Sequence, residues 1–230
     1  MTFSICAYDP ATGQLGVGAI TALPGVGKLV SHAQSGVGAA ATQATLNPYL
    51  ALDGLALMAG GSNAQASLEE VIRRDDGREY RQLGIIDAQG NTAAWTGSKT
   101  PEWSGHLQRG NAVAQGNRLV GAETLEATMD AFDEHENLEL AYRILRALQA
   151  GEATGADRHG SVSGAIYVVD TEQYPLWDVR VDDATDPAAA LDALVETFAE
   201  DLIPQVRKLP TRNDYVGEQT REAMAEDSAG

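Results

Sequence analysis

The second residue, Thr2, has the clearest chemistry of its own in this sequence. A threonine is small enough for the cell's methionine aminopeptidase to remove Met1, which leaves a free α-amino group on Thr2. That amine has an ordinary pKa of about 8, so it accepts a proton near neutral pH more readily than a lysine does. The hydroxyl of the same residue can attack a carbonyl. Thr2 is therefore a candidate nucleophile and general base, and the plain alternative is the first ordered residue of an edge strand.

The other common catalytic and cofactor motifs are absent from the sequence. It contains no GxxxxGK[ST], no GxGxxG between a strand and a helix, and no HExxH. In the segment GSVSG, residues 160–164, a valine occupies the position of the nucleophile in GxSxG. A hydrolase that uses Ser161 or Ser163 with His159 remains open as an alternative. We expect no metal and no organic cofactor, because the histidine spacings match no metal motif: His32, His106, His135 and His159.

The composition is that of an acidic globular chain. Of 230 residues, 43% are hydrophobic, and 33 Asp and Glu outnumber 16 Lys and Arg, which gives a formal net charge of −17. Such a field repels phosphate backbones, so nucleic acid is not an expected partner. No apolar run approaches the roughly 18 residues of a membrane span, and the start does not resemble a signal peptide. With Cys6 as the single cysteine, we expect a cytoplasmic protein without disulfides.

The apolar patterns predict hairpins that alternate with clustered helices. This order favours antiparallel sheets covered by helices, so we expect an α+β fold, a four-layer α-β-β-α sandwich of two largely antiparallel sheets. Strands 3–8 and 161–169 should be internal to their sheets. The predicted strands are 3–8, 15–20, 36–42, 81–86, 91–96, 112–116, 161–169 and 176–181, and the predicted helices are 49–59, 64–74, 123–132, 138–150 and 187–200.

We expect one domain over residues 1–209, followed by a polar, acidic tail over residues 210–230. Four apolar residues near the end of the domain have no evident place in its core: Leu202, Ile203, Val206 and Leu209. They predict a homo-oligomer, at least a dimer.

Several segments resemble an uncharacterised bacterial family assigned to the N-terminal-nucleophile (Ntn) hydrolase superfamily. The resemblance begins with MTFSICAYDPATGQLGVGA and GVGAAATQA and runs in order to about residue 200. It continues in NPYLALDGLALMAGG, YRQLGIIDAQGNTAAWTG, VAQGNRLVG and WDVRVDDATDPAAAL. Members of the superfamily share the α-β-β-α sandwich and mostly hydrolyse amide bonds. The resemblance implies the same fold here and places Thr2 at the nucleophile position.

The resemblance also implies roles for polar residues elsewhere. The amides of Gln43 and Asn47 (in TQA-x-x-NP) and of Gln115 and Asn117 (in QGN) suit an oxyanion hole or recognition of a substrate amide. Support of loops is an equal alternative for all four. In the RVDD motif we expect a structural ion-pair network at a strand end. The loop that enters a core strand often holds groups that support the nucleophile, here Asp157, Arg158 and Ser161.

The leading hypothesis is an amidohydrolase that acts on a small amide, carbamoyl or ureido compound. Thr2 would be the nucleophile, with Asn117, Gln115 and Asp157 as further catalytic residues. The substrate-binding candidates are Gln43, Asn47, Arg158 and Ser161. The alternative is a non-catalytic protein of the same fold that binds a small metabolite or scaffolds a complex.

Overall fold

The structure, a computed structural model, describes residues 1–156 and 160–229. Its strands are β1 Thr2–Tyr8, β2 Leu15–Thr21, β3 Ser31–Gln34, β4 Gly38–Ala44, β5 Arg81–Asp87, β6 Thr92–Thr96, β7 Ser104–Arg109, β8 Ala112–Asn117, β9 Ser163–Val169 and β10 Pro175–Val181. Its helices are α1 Pro48–Ala59, α2 Ala64–Arg74, α3 Glu123–Glu134, α4 Leu140–Ala153, α5 Pro187–Asp201, α6 Ile203–Val206 and α7 Glu218–Ala229.

The strands form two antiparallel sheets. The six-stranded sheet has the order β10-β9-β2-β1-β8-β7, and the four-stranded sheet has the order β3-β4-β5-β6. Strand β1 lies between β2 and β8, and β9 lies between β10 and β2. The prediction that both segments are internal strands is therefore confirmed.

Three apolar layers separate four layers of secondary structure. Phe3, Ile144 and Leu191 represent the layer between the six-stranded sheet and helices α3 to α5. Val17 and Ile86 belong to the layer between the two sheets. Helices α1 and α2 cover the outer face of the four-stranded sheet through residues such as Leu55, Leu68 and Leu83. The α+β, α-β-β-α sandwich expected from the sequence is the observed architecture.

Two strands were not predicted, and both are sheet edges. Strand β3 carries the sequence SHAQ and β7 the sequence SGHLQR, and neither shows an apolar alternation. Two predicted strands are shifted: the segment 36–42 corresponds to β4 Gly38–Ala44, and the segment 161–169 begins at Ser163.

The RVDD motif, for which we expected an ion-pair network, lies at the end of β10. Its Arg180 forms an ion pair with Asp178 of the same strand at 2.6 Å.

The region after α5 packs partly on the chain's own core. Ile203 is buried in the layer beneath α5, and Val206 packs against the same cluster. These two residues therefore do have a place in the core, contrary to the reasoning behind the oligomer prediction, whereas Leu202 is 42% exposed. The division into a domain and a tail, and the oligomeric state, stay predictions. None of the described helices is long and apolar enough to cross a membrane.

Candidate functional site

A row of polar side chains crosses one end of the six-stranded sheet. In the antiparallel register Thr2 pairs with Thr21 on β2 and with Asn117 on β8. Beyond them, Thr21 pairs with Ser163 and Asn117 pairs with Ser104. Directly opposed residues of antiparallel strands project from the same face of a sheet. Five hydroxyl or amide side chains therefore line up along this edge, with Thr2 at the centre.

The Thr2 hydroxyl lies in a small cluster of oxygen atoms. Its Oγ1 donates to the Met1 carbonyl at 2.9 Å and lies 2.9 Å from Oγ1 of Thr21. The Thr21 hydroxyl also donates to the Met1 carbonyl, and the Ala22 N–H reaches the same oxygen at 3.4 Å. The Met1 carbonyl is thus a shared acceptor that orients both threonine hydroxyls.

Thr2 opens onto a cleft of about 620 Å³. The cleft is bounded by the N-terminus, the ends of β2, β4 and β8, and the segment before β7. Among the described residues, two that are not glycine have positive φ angles, Ala44 at 70° and Arg118 at 56°, and both line this cleft. The lining residues are Met1, Thr2, Ala22, Leu23, Ala44, Thr45, Pro101, Glu102, Asn117, Arg118 and Leu119.

A buried network of side-chain amides lies between the two sheets and contacts the backbone of Thr2. Nε2 of Gln43, on β4, donates to the Thr2 carbonyl at 3.2 Å and to Oε1 of Gln82, on β5, at 2.7 Å. Nε2 of Gln82 donates in turn to the Gly116 carbonyl at 2.8 Å. Gln43 is 1% exposed and Gln82 is fully buried. The two sheets are therefore joined by side-chain amides next to the candidate nucleophile.

Gln115 belongs to this network and does not line the cleft. Its Nε2 donates to the Ser4 hydroxyl at 2.6 Å, and that hydroxyl donates to Oε1 of Gln43 at 2.6 Å. The side chain of Gln115 is fully buried. Asn117 does line the cleft, and its Nδ2 donates to Oε1 of Gln82 at 3.2 Å. Of the two amides in QGN, the structure brings Asn117 alone to the cleft surface.

Asn47 caps helix α1 and is linked, through Asp75 and Arg81, to Thr45 in the wall of the cleft. Its side chain accepts a bond from the Tyr49 N–H at the start of α1 and donates to Asp75 at 3.4 Å. Asp75 forms an ion pair with Arg81 at 2.9 Å, and Arg81 donates to the Thr45 carbonyl at 2.7 Å. Burial alone would raise the pKa of Asp75, but bonds from Arg81, the Gly77 N–H and Asn47 outweigh it and lower that pKa.

The loop before β9 contributes less to the described cleft. Asp157, Arg158 and His159 lie outside the described residues. Ser161 is buried, and its hydroxyl donates to Glu152 at 3.0 Å. The Ser163 hydroxyl donates to the Leu23 carbonyl at 2.6 Å and accepts the Val26 N–H at 3.1 Å.

Two other titratable side chains of the described chain, Cys6 and His106, are absent from the lining of the cleft. Burial raises the pKa of the Cys6 thiol, so it stays protonated and inert. Burial also lowers the pKa of His106, whose Nδ1 lies 2.9 Å from the Thr96 hydroxyl. In residues 1–156 and 160–229, no three His, Cys, Asp or Glu side chains are grouped as metal ligands.

Three residues of the site were missed from the sequence: Thr21, Gln82 and Arg118. The first could have been found, because a hairpin whose turn runs from Asp9 to Gln14 places Thr21 opposite Thr2. Gln82 gives no such indication, since an isolated glutamine in a strand usually faces solvent.

The fold and the cleft define a sandwich protein with a row of hydroxyl and amide side chains and a cleft at one end of its larger sheet. The model of the family described as "Family of unknown function (DUF1028)" matches residues 2–191, and the chain belongs to this family. It is similar to the crystal structure of protein SPO2555 from Silicibacter pomeroyi of the same family, with 32% identity, 94% of each chain covered and a TM-score of 0.86.

A more distant similarity is to Anbu (ancestral beta-subunit) from Yersinia bercovieri, with 14% identity, 90% of this chain and 98% of that chain covered, and a TM-score of 0.43. Comparison with curated proteins gives no match.

Proposed function

We propose that the protein is an amidohydrolase in which Thr2, freed of Met1, is the nucleophile. The observation that carries the proposal is the position of the Thr2 hydroxyl, at the start of an internal strand, facing a cleft and 2.9 Å from the Thr21 hydroxyl. A nucleophile needs to be held rigidly, and the buried amide of Gln43 anchors the Thr2 carbonyl. The amide-hydrolysing activity comes from the resemblance to N-terminal-nucleophile hydrolases.

Removal of Met1 would place the new α-amine where the Met1 peptide bond now lies, beside Thr21. This amine takes the proton of the Thr2 hydroxyl as Oγ1 attacks the substrate carbonyl, which forms a tetrahedral intermediate. The ammonium then protonates the leaving nitrogen as the C–N bond breaks, and an acyl ester remains on Thr2. A water molecule, deprotonated by the amine, hydrolyses the ester and restores the enzyme.

The polar residues around Thr2 divide into two groups under this proposal. Asn117 reaches the cleft, and its amide is the proposed side-chain donor to the oxyanion. The buried contacts of Gln43 and Gln115 support positioning roles in place of direct contact with substrate. Asn47 holds a cleft wall through Asp75. Asp157, Arg158 and Ser161 stay proposed contributors from the loop before β9.

The size of the cleft supports a small substrate. Pockets for small molecules commonly have volumes of about 300–1,000 Å³, and this cleft has about 620 Å³. A small amide, carbamoyl or ureido compound fits such a volume. A homo-oligomer also remains part of the proposal, and sedimentation equilibrium at micromolar concentration tests it.

The test combines intact mass with an acylating probe. The purified protein should lack the mass of Met1, and incubation with a simple β-lactone should add the full mass of one lactone. The ring opens as Oγ1 forms the ester, so no atom leaves, and peptide mapping should place the adduct on Thr2.

Variants at Thr2 complete this test. Thr2→Ala should abolish the adduct, because loss of a nucleophile costs several orders of magnitude in rate, and should leave folding nearly unchanged. Thr2→Ser should keep part of the rate, and Thr197→Ala, on the exposed face of α5, should keep all of it. A protein that retains Met1, or a Thr2→Ala variant that is acylated as fast as wild type, contradicts the proposal. Retention of Met1 favours the non-catalytic alternative.

A further inference from the structure

Among the described residues, Arg118 is the cationic side chain that lines the cleft, and its backbone lies close to that of the candidate nucleophile. It directly follows Asn117, the register partner of Thr2 on β8. Opposed Cα atoms lie about 5 Å apart and consecutive ones about 3.8 Å, so the backbone of Arg118 lies within about 9 Å of that of Thr2. Its side chain is exposed and lines the cleft.

The guanidinium of Arg118 has no protein partner within the described chain, which sets it apart. Every other arginine in residues 1–156 and 160–229 engages its guanidinium in an ion pair, a hydrogen bond or a ring contact. This is expected in a chain with a formal net charge of −17, where carboxylates are plentiful. Because the guanidinium of Arg118 has no carboxylate partner in the described chain and lies in a cleft, its N–H groups are available to a ligand.

The backbone of Arg118 is fixed in a conformation that an arginine rarely adopts. Its φ angle is 56°, in the left-handed region where a Cβ atom is unfavourable. The Arg118 N–H donates to the Pro101 carbonyl at 3.1 Å, and the Leu119 N–H donates to the Trp103 carbonyl at 3.0 Å. Glycine or asparagine would suit this position better on backbone grounds alone. Residues with unfavourable backbone conformations cluster at functional sites. Because an arginine is present where glycine would be more stable, we infer that its side chain has a function such as ligand binding.

We propose that Arg118 binds a carboxylate of the substrate, so that the cleft takes small amides that carry a carboxylate group. This inference rests on the proposed function, because it names the substrate class for the same cleft. Glu102 lines the cleft as well, and no ion pair joins it to Arg118 in the described part of the chain. Its negative charge repels polyanions such as phosphate esters more strongly than a ligand with a single carboxylate. Leu23 and Leu119 supply apolar surface for the rest of such a molecule.

Two probes that differ in one group test the inference without turnover. In the Thr2→Ala protein, N-acetylglycine should bind at least about tenfold more tightly than N-acetylglycinamide, as measured by calorimetry, because a charge-assisted bond to arginine is lost in the second. The preference should disappear in Thr2→Ala/Arg118→Gln. It should persist in part in Thr2→Ala/Arg118→Lys, which keeps the charge and the same unfavourable backbone and is therefore the matched control.

The outcomes separate the two proposals. Equal affinity for the two probes, no detectable binding of either, or a preference that survives Arg118→Gln overturns the carboxylate inference. The β-lactone adduct on Thr2 is measured in parallel on the protein with Thr2 intact. An adduct together with equal probe binding leaves the proposed hydrolase standing and removes its carboxylate specificity. Probe preference without any adduct supports a carboxylate-binding cleft and counts against the hydrolase.

Discussion

Replacing Gln82 with leucine tests whether the buried amide network stabilises the site. Oε1 of Gln82 accepts from Gln43 at 2.7 Å and from Asn117 at 3.2 Å, and Nε2 donates to the Gly116 carbonyl at 2.8 Å. The side chain is fully buried, so no bulk water replaces these contacts. Leucine has a similar volume and keeps the packing while removing every polar contact.

The size of the effect follows from the groups left without partners. Two buried groups lose a partner: the amide of Asn117 loses its acceptor, and the Gly116 carbonyl loses its side-chain donor. The Thr96 hydroxyl and the Gly105 carbonyl also lose a donor, but these two contacts are only partly buried. An unsatisfied buried polar group costs about 1–3 kcal/mol, so two of them give about 2–6 kcal/mol before any relaxation. Gln43 keeps its bonds to the carbonyls of Thr2 and Gln115, and this limits the loss. We expect a loss of about 2–4 kcal/mol in the free energy of unfolding, against a usual total of about 5–15 kcal/mol.

Urea unfolding monitored by tryptophan fluorescence measures this loss, and thermal melting gives a second reading. The melting temperature should fall by about 4–16 °C, at about 2–4 °C for each kcal/mol in a chain of this size. Gln65→Leu is the matched control, because Gln65 is exposed on α2 and bonds to Glu69 at 2.7 Å. That change should stay within about 0.5 kcal/mol.

A Gln82→Leu protein whose stability matches that of Gln65→Leu would refute the reasoning. Such a result would mean that Asn117 and Gly116 find other partners at no cost, and that the amides between the sheets do not hold the start of β1. If the network does position Thr2, the β-lactone should also react more slowly with the Gln82→Leu protein under conditions where it stays folded.

Two further predictions concern the walls around the site. Asp75→Asn should cost about 1–3 kcal/mol at pH 7, since it breaks the ion pair with Arg81. The folded-state pKa of Asp75 is lowered, so its contribution is complete above the ordinary carboxyl range. This contribution is lost as the pH falls through the folded-state pKa. The difference in free energy of unfolding between wild type and Asp75→Asn, measured with urea, should therefore be smaller at about pH 3 than at pH 7. A difference that stays constant would contradict this. Gly84→Ala should destabilise by about 1–3 kcal/mol, because a Cβ at that position would lie 1.8 Å from Oε1 of Gln115; unchanged urea stability would show that Gln115 moves freely.

The internal strands could be predicted from sequence, as could the edge strands β6 and β10, whereas the edge strands β3 and β7 could not. Strands β1 and β9 are buried on both faces, so their apolar and β-branched residues identify them. Strands β3 and β7 pair on one side only, and much of their side-chain surface is exposed. Polar sequences such as SHAQ and SGHLQR are stable there because the neighbouring strand supplies the hydrogen bonds. Their strand conformation depends on tertiary pairing and leaves no mark in local composition.

The candidate site divides in the same way. Thr2 was predicted from its own chemistry and Asn117 from a motif of the family resemblance, and both line the cleft. The roles of Gln43 and Gln115 depend on which face of a strand meets the other sheet, and sequence alone left support and catalysis equally open. Arg118 drew no attention in the sequence, because its distinctive properties are a φ angle and a guanidinium without a partner among the described residues, and both belong to the folded chain.

The position of Met1 has a practical consequence for recombinant work. Because Met1 lines the cleft and its carbonyl accepts from the hydroxyls of Thr2 and Thr21, any affinity tag fused ahead of it would start at the cleft. Such a tag would occupy the ligand volume and prevent exposure of the Thr2 amine, and a screen with that protein would find neither binding nor turnover. A tag placed after α7, which is exposed along its described side chains, leaves the cleft open. Substrate screens should therefore use C-terminal fusions or untagged protein.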